Sequence, residues 1–199
     1  VSPEVAEEAV GLIEVEYEPL PPVLDVLEAM KPEAPLLHEN LRTRSLSGVS
    51  ERPSNVSLVV EMDRGDVGAG FQQADIVLER TYRTQMVHQG YIEPESETAM
   101  AYPDGRVEVW ADSQGSFVTK NQIAALLSIP AGLVKVVPKE VGGAFGGKTP
   151  ARVGPVCILL SRKTGRPVRI TLSREEVLRA TGPGAPTVTV VKVGAKRDG

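Results

Sequence analysis

Residues 133–149 run Leu-Val-Lys-Val-Val-Pro-Lys-Glu-Val-Gly-Gly-Ala-Phe-Gly-Gly-Lys-Thr. The mostly apolar and β-branched residues at 133–137 predict a strand, and the glycines within 142–147 predict a loop whose backbone can approach another group closely. Consecutive backbone N–H groups that no side chain covers favour the binding of an anionic or strongly hydrogen-bonding ligand. The bulky Phe145 is unusual for a plain turn, and we expect it to wall a cavity or to pin the loop to the core.

The same stretch satisfies the nucleotide-binding pattern G-x-x-x-x-G-K-[ST], with Gly142, Gly147, Lys148 and Thr149 in register. A nucleotide-binding P-loop also needs an acidic residue at the end of a neighbouring strand to hold Mg²⁺. The next predicted strand ends without one, and Pro150 interrupts the start of the helix that follows. A P-loop nucleotide-binding domain therefore stays an alternative, as do a purely structural glycine turn and a non-catalytic interaction module.

The elements around the loop alternate irregularly between hairpins and helices. A hairpin is predicted at 97–112, an amphipathic helix at 116–127, and a capping box at Ser173-Arg-Glu-Glu176 opens a further helix. The other expected elements are helices at 3–9, 23–30, 66–74 and 151–164, and strands at 11–17, 57–61, 76–85 and 167–172. No regular βαβ series results, so the predicted fold class is α+β with mixed sheets.

Composition narrows the functional class. The 199 residues are 41% hydrophobic and 24% charged with a net charge of −4. This balance can fill a core and gives no electrostatic basis for binding nucleic acid or an anionic membrane surface. No apolar run approaches the roughly 18 residues of a membrane span. The single cysteine, Cys157, lies among apolar residues, so we expect an inert core thiol and, weakly, a cytoplasmic location.

Together with the segment upstream, the glycine loop resembles a known family. Residues 88–97, His-Gln-Gly-Tyr-Ile-Glu-Pro-Glu-Ser-Glu, are followed by Asp112-Ser-Gln114 and then by Gly142–Lys148. This combination is similar to the large, molybdopterin-binding subunit of the xanthine dehydrogenase, aldehyde oxidase and carbon monoxide dehydrogenase family. The resemblance covers nearly all of the chain and implies an internal fragment of that subunit.

The resemblance also implies a division into domains. Tyr17-Glu-Pro-Leu-Pro-Pro22 is similar to the end of the subunit's α/β-hammerhead domain, so residues 1–30 are expected to belong to that domain. Residues 31–55 show little periodicity and are expected to form a linker. Residues 56–199 are expected to be the first part of the molybdenum-cofactor-binding domain, truncated at the hairpin signal Asp198-Gly199.

In the family, the glycine loop lies beside the pterin and its molybdenum. Carried over by position, Gln114 would be the catalytic residue that hydrogen-bonds an oxo ligand of the metal. The cofactor-binding backbone would come from the loop residues Gly142, Gly143, Ala144, Phe145, Gly146 and Gly147. No protein side chain would ligate the metal. From residue type alone, Gln114, His88, Glu93 and Glu95 would more often be structural.

The implied cofactor is molybdopterin or its cytosine dinucleotide, and the implied reaction is hydroxylation of a small-molecule substrate with oxygen from water. Electrons would leave through iron–sulfur clusters and FAD, carried by an iron–sulfur small subunit and an FAD medium subunit. The family's general-base glutamate lies beyond Gly199, so the resemblance implies that this fragment is not active alone.

Two departures from the family pattern bear on the substrate. Purine-oxidising members carry an acid directly after the loop lysine, and Thr149 stands there, which argues against a purine. After the capping box many members have Arg or His before a proline, where this chain has Thr181-Gly-Pro-Gly-Ala-Pro186. The substrate stays open among aldehydes, N-heterocycles and carbon monoxide.

Overall fold

The computed structural model describes residues 2–198, which divide into two compact units. The first unit comprises the chain up to Glu79 together with the residues from Lys192 onward, and the second comprises Arg80–Val191. No helix in this part of the chain is long and apolar enough to cross a membrane. The turn predicted at Asp198-Gly199 falls partly outside the described residues.

The first unit consists of short elements. In chain order they are α1 (Pro3–Gly11), α2 (Val26–Ala29), β1 (Arg42–Ser45), β2 (Gly48–Pro53) and α3 (Val67–Gln72). Strands β1 and β2 form an antiparallel hairpin in which Ser45 pairs with Gly48. Asp25 caps α2, because its carboxylate accepts from the amides of Leu27 and Glu28 at 2.8 and 3.0 Å. Local hydrogen bonds thus define much of this unit.

Asn55 orders the stretch between α2 and β1. Its Nδ2 donates to the carbonyls of Ala29 and Pro35, each at 3.0 Å, and its Oδ1 accepts from the amide of Leu37 at 2.9 Å. One side chain therefore satisfies three backbone groups in a stretch that forms neither helix nor strand.

The predictions for the first unit need three corrections. The strand predicted at 11–17 is absent: α1 continues to Gly11, and residues 13–17 pair with no strand among the described residues. The strand predicted at 57–61 is reduced to a single bridge between Arg44 and Leu58. Residues 31–55, in which no element was expected, contain the β1–β2 hairpin. Alternating polarity is not enough for a strand, because the backbone needs a neighbour to bond. The role of residues 31–55 as a linker stays a prediction.

From residue 76 the elements are β3 (Ile76–Arg83), β4 (Ser96–Ala101), β5 (Val107–Ala111), α4 (Ser116–Leu127), a 3₁₀ turn (Ala131–Leu133), β6 (Val134–Pro138), α5 (Gly154–Thr164), β7 (Val168–Thr171), α6 (Arg174–Ala180) and β8 (Val188–Ala195). Strands β3 and β8 pair with each other, and the boundary between the units falls within both.

A four-stranded mixed sheet organises the second unit, in the order β6-β5-β4-β7. Strand β4 is antiparallel to β5 and to β7, with Thr98 opposite Trp110 and Arg169. Strands β5 and β6 are parallel, with Val107 opposite Val134. Their carboxyl ends therefore reach the same edge of the sheet.

The core of this unit lies between the sheet and the helices α4 and α5. Alternate residues of β5 are buried, among them Val109, and the helices contribute Ile123, Cys157 and Ile158, all 0% exposed. The period of two on the strand produces this one-sided burial. The predicted α+β class is confirmed. The helix predicted from 151 begins at Gly154, with Pro155 in its first turn, where a proline is tolerated.

Candidate functional site

The sheet topology brings Gln114 and the glycine loop together. Gln114 follows β5, and the loop at 142–148 follows β6, the parallel neighbour of β5. The two segments leave the same edge of the sheet, and the amide of Gln114 donates to the carbonyl of Lys148 at 3.1 Å. The structure thus places the predicted catalytic residue against the predicted cofactor-binding loop.

The carboxamide of Gln114 is oriented by the loop. Its Oε1 accepts from the backbone amides of Gly146 at 3.0 Å and Lys148 at 3.3 Å, and from the Thr149 hydroxyl at 3.4 Å. Because backbone amides can only donate, the oxygen must face them. The Nε2 group donates to no acceptor among residues 2–198, so its two N–H bonds are left for a ligand.

The loop backbone bends through a left-handed turn. The amide of Gly147 donates to the carbonyl of Ala144 at 2.8 Å, and the central residues Phe145 and Gly146 have φ angles of +50° and +92°. Positive φ at both central positions defines a type I′ turn, which a bulky residue rarely adopts. The side chain of Phe145 is 74% exposed, so it does not pin the loop to the core. Walling a ligand cavity stays the prediction for it.

Three consecutive loop amides have no acceptor within the described chain. They belong to Gly143, Ala144 and Phe145. Ala144 is only 5% exposed, and a backbone N–H in such a place normally has a partner. The amide of Gly146, by contrast, is taken up by Gln114. The loop therefore presents a short row of donors to an external acceptor.

Two of the loop glycines are required because neighbouring side chains leave no room for a Cβ atom. A Cβ on Gly142 would lie 2.8 Å from Cβ of Glu93, and one on Gly147 would lie 2.6 Å from the ring of Tyr91. A Cβ on Gly146 would meet nothing within 4 Å. Gly142 and Gly147 thus serve close packing within the chain, and the expected approach of a ligand to the loop backbone stays a prediction.

Lys148 is buried rather than presented at the loop surface. Its side chain is 2% exposed, and its Nζ lies 2.7 Å from Glu93 Oε2 and 2.8 Å from Asp112 Oδ2. It also lies 5.1 Å from the centroid of the Tyr91 ring. Burial lowers the pKa of Lys148, but the hydrogen bonds to Asp112 and Glu93 outweigh this and keep the pKa above its ordinary value.

Glu93 connects this ammonium to the loop. Burial raises the pKa of Glu93, yet hydrogen bonds from Lys148 and from the amide of Gly142, both at 2.7 Å, bring it below its ordinary value. Glu93 is therefore held as a carboxylate, in the structural role that its residue type favoured.

This arrangement does not support the nucleotide-binding alternative. The lysine of a P-loop reaches the phosphates of the nucleotide, whereas Lys148 is bound by two carboxylates. Helix α5 begins at Gly154, six residues after Lys148, so the loop does not lead directly into a helix N-terminus. The chain matches the P-loop pattern in sequence but not in geometry.

Two further carboxylates are buried nearby. Glu95 accepts from the Tyr91 hydroxyl at 3.1 Å and lies 3.2 Å from Arg152 Nε; burial raises its pKa and the Arg152 charge opposes the rise. Glu97 is 6% exposed, and its Oε2 has no hydrogen-bond partner among residues 2–198. Burial, with repulsion from Asp112 and Glu95, raises the pKa of Glu97 to about 7. Sequence analysis missed Glu97, because no motif marks a buried acid.

His88 also has a structural place. Its Nδ1 accepts from the amide of Gly90 at 3.0 Å, so Nε2 carries the proton and donates to Thr181 Oγ1 at 2.9 Å. The Tyr91 hydroxyl lies 3.3 Å from the same oxygen. These contacts join the segment before β4 to the residue that follows α6.

Neither the thiol nor any side-chain cluster in the described part of the chain forms a metal ligand set. Cys157 is 0% exposed, and burial raises its pKa to about 11, which makes it an inert thiol. No three His, Cys, Asp or Glu side chains among residues 2–198 are gathered so that they could hold a metal ion.

Comparison with known proteins adds independent information. The family model for the molybdopterin cofactor-binding domain matches residues 49–199. The chain is 30% identical over 198 residues to the nicotinate dehydrogenase large molybdopterin subunit of Eubacterium barkeri, covering 100% of this chain and 44% of that protein. It is 33% identical over 196 residues to a probable xanthine dehydrogenase component of Bacillus subtilis, covering 98% and 25%. The chain thus spans less than half the length of these relatives.

A solved structure agrees with these relatives. The carbon monoxide dehydrogenase of Oligotropha carboxidovorans matches with a TM-score of 0.77 and 27% identity, over 99% of this chain and 25% of that one. The similarity therefore extends over nearly the whole chain.

Proposed function

This chain belongs to the molybdopterin cofactor-binding domain family, and from that premise we propose that it binds a molybdenum–pterin cofactor where Gln114 meets the glycine loop. One observation carries the proposal. The Gln114 Nε2 group and the amides of Gly143, Ala144 and Phe145 form a set of donors that has no acceptor within residues 2–198.

The residues present fit such a group. Oxo, carbonyl and phosphate oxygens all accept hydrogen bonds, and neutral amides can hold them without competing for the metal. At Gly146 an added Cβ would meet nothing within 4 Å, so the loop leaves room beside these donors. The left-handed φ of Phe145 is a strained conformation of the kind that persists at ligand sites.

The bound cofactor would supply the two-electron oxidation of a substrate carbon, with oxygen from water. The part of this chain is orientation. Gln114 would donate from Nε2 to an oxygen of the cofactor while the loop fixes its Oε1, and the amides at 143–145 would hold further acceptors of the cofactor. The exposed ring of Phe145 would shield one side of the cofactor from water.

For the whole protein we infer a molybdenum-dependent oxidoreductase, in which this chain is part of the large subunit. The names of the relatives support this inference. An iron–sulfur small subunit and an FAD medium subunit would receive the electrons. The general-base glutamate would come from elsewhere in the protein, so this chain alone would be inactive. Thr149, a neutral residue beside Gln114, argues against a purine substrate.

The domain division stays part of this proposal. Residues 1–30 would complete an α/β-hammerhead domain, residues 31–55 would be the linker, and residues 56–199 would begin the cofactor-binding domain. The family model, whose match begins at residue 49, supports the last of these assignments in its main extent.

The test uses the full-length protein, expressed in a host that makes the cofactor. We expect stoichiometric molybdenum by mass spectrometry and pterin by fluorescence after oxidation. Gln114→Ala should lower turnover by about 100-fold, since it removes a donor at the reacting metal. The control Gln73→Ala, an exposed glutamine of the first unit, should leave turnover unchanged. A protein without molybdenum and pterin would refute the proposal, and full turnover of the Gln114 variant would remove that residue from the site.

A further inference from the structure

Lys148 lies where three parts of the candidate site meet. Its ammonium contacts Glu93 and Asp112 at 2.7 and 2.8 Å, and its side chain is only 2% exposed. Its backbone is bound to Gln114 in both directions: the Lys148 amide donates to Gln114 Oε1 at 3.3 Å, and the Gln114 amide donates to the Lys148 carbonyl at 3.1 Å. A single residue therefore contacts the catalytic candidate, the buried Asp112 and the partly exposed Glu93.

Through Glu93, the ammonium is connected to the first residue of the glycine loop. Glu93 Oε2, which binds Lys148, also accepts from the amide of Gly142 at 2.7 Å. The amide of Glu93 donates back to the carbonyl of Gly142 at 3.2 Å. Glu93, which Lys148 holds in place, thus binds both the N–H and the carbonyl group of Gly142.

Through Asp112, the ammonium is connected to the end of β5. Asp112 stands two residues before Gln114 and is 2% exposed, and its Oδ2 also accepts from the amide of Ser96 on β4 at 3.2 Å. Lys148 Nζ therefore binds both Asp112, near the point where Gln114 leaves the sheet, and Glu93, which holds the start of the loop.

We propose that Lys148 is a positioning residue, whose buried ammonium fixes the glycine loop relative to Gln114 so that both present one rigid set of donors to the cofactor. The inference rests on the proposed function, since the donors matter only if the cofactor binds there. Lys148 does not itself touch the cofactor: its nitrogen is enclosed by Glu93, Asp112 and the Tyr91 ring.

The chemistry of an ammonium suits this task. It offers three donors from one point, so it can serve carboxylates that arrive from two different elements. In a buried site its attraction to them is poorly screened, which restricts their separation. A guanidinium is larger and planar, and it would hold the same two carboxylates in a different geometry.

A purely structural role must be separated from positioning. Lys148→Met alone would leave the buried carboxylate of Asp112 and the partly exposed one of Glu93 without their cation, and would destabilise the fold. The triple variant Glu93→Gln, Asp112→Asn, Lys148→Met keeps the side-chain sizes and leaves none of the three charged. Lys148→Arg keeps the charge and changes the size and geometry of the group that carries it. The matched control is Lys135→Met with Glu108→Gln, an ion pair of 2.7 Å in the same unit whose lysine side chain is 69% exposed.

The measurements are made on the full-length protein from a host that makes the cofactor: circular dichroism, molybdenum and pterin per folded chain, and the electron paramagnetic resonance spectrum of Mo(V). We expect the triple variant to fold, to hold the cofactor about tenfold or more weakly, and to give a shifted Mo(V) spectrum. Lys148→Arg should shift the spectrum with a smaller loss of cofactor. The control pair should match the wild type.

The results separate the positioning role from the proposed function. Wild-type cofactor content and an unshifted spectrum in both Lys148 variants would overturn the positioning role while the proposed function stands. Cofactor loss that only follows the loss of folded protein, with an unshifted spectrum, would also overturn it. If the triple variant does not fold, Lys148→Arg alone decides by the same spectrum. A wild-type protein without molybdenum and pterin would instead refute the proposed function.

Discussion

The two units of this chain differ in what holds them together. In the second unit, Val109, Ile123 and Ile158 are 0% exposed between the sheet and its helices. In the first, no described side chain is buried, and Leu12 and Leu46 are 80% and 85% exposed. The second unit therefore rests on an apolar core, and the first on caps, one hairpin and side-chain hydrogen bonds.

This difference shows where a preorganised site can be built. Every residue of the candidate site lies in the unit that has a core. Donors that must hold a ligand at fixed distances need supports that do not move, and close packing provides them. The first unit offers no comparable support among its described residues.

The largest expected effect is a cavity in the core of the second unit. Ile123→Ala should lower the free energy of unfolding by about 4 kcal/mol, because a fully buried side chain loses its contacts. Urea unfolding followed by the fluorescence of Trp110, the only tryptophan, reports on this unit because it lies on β5. The control Leu46→Ala should change the same free energy by less than about 0.5 kcal/mol. Similar effects of the two substitutions would abolish the contrast between the units.

A somewhat smaller effect is expected from the buried acid of the same unit. The pKa of Glu97 is about 7 in the folded chain, against an ordinary value of 4.5. Between these values the folded state binds more protons than the unfolded state, so stability falls as the pH rises from about 4.5 to 7. The loss should reach about 3 kcal/mol above pH 7.

Glu97→Gln removes this titration. Its stability relative to the wild type should therefore increase by about 3 kcal/mol between pH 4.5 and pH 8, measured by the same fluorescence in urea. A difference between the two proteins that stays constant across this range would show that Glu97 is not buried as an unpaired acid.

The smallest expected effect comes from a substitution in the first unit. Asn55→Ala removes three hydrogen bonds and should lower the local stability of the stretch between α2 and β1 by about 2 kcal/mol. Hydrogen exchange of the Leu37 amide, which Asn55 binds, should accelerate, while the unfolding midpoint seen by Trp110 should not change. The exposed Asn40, whose side chain makes no hydrogen bond within the described residues, provides the control Asn40→Ala. A shifted Trp110 midpoint would contradict the local role.

Local signals in the sequence predicted the second unit well. The helix at 116–127 has the predicted bounds, but the expected amphipathic pattern is absent, since its apolar residues gather at 117–118 and 123–127 instead of recurring with the helical period. The capping box also forms: Glu176 donates its amide to Ser173 Oγ, and Ser173 donates its amide to Glu176 Oε2. The strand predicted at 11–17 is absent, since a strand depends on a partner that its own residues do not specify.

The candidate site was less accessible to sequence reasoning. The meeting of Gln114 with the glycine loop followed only from the family resemblance, because no local pattern reveals that β5 and β6 are parallel neighbours. The pattern around Lys148 also matched that of a phosphate-binding P-loop, which stayed an alternative. One of the two carboxylate partners of Lys148, Glu93, lies 55 residues away in the chain, and only the fold shows that contact. The isolated acid Glu97 left no pattern at all.

The burial of Cys157 makes the opening rate of the second unit measurable by thiol labelling. A thiol reagent can reach this sulfur only when the core opens, so the rate of labelling would time those openings. The chain has no other cysteine, and events confined to the first unit would leave the label count unchanged. A cysteine introduced at an exposed position of the first unit would be labelled without any opening and would therefore give the intrinsic labelling rate for comparison.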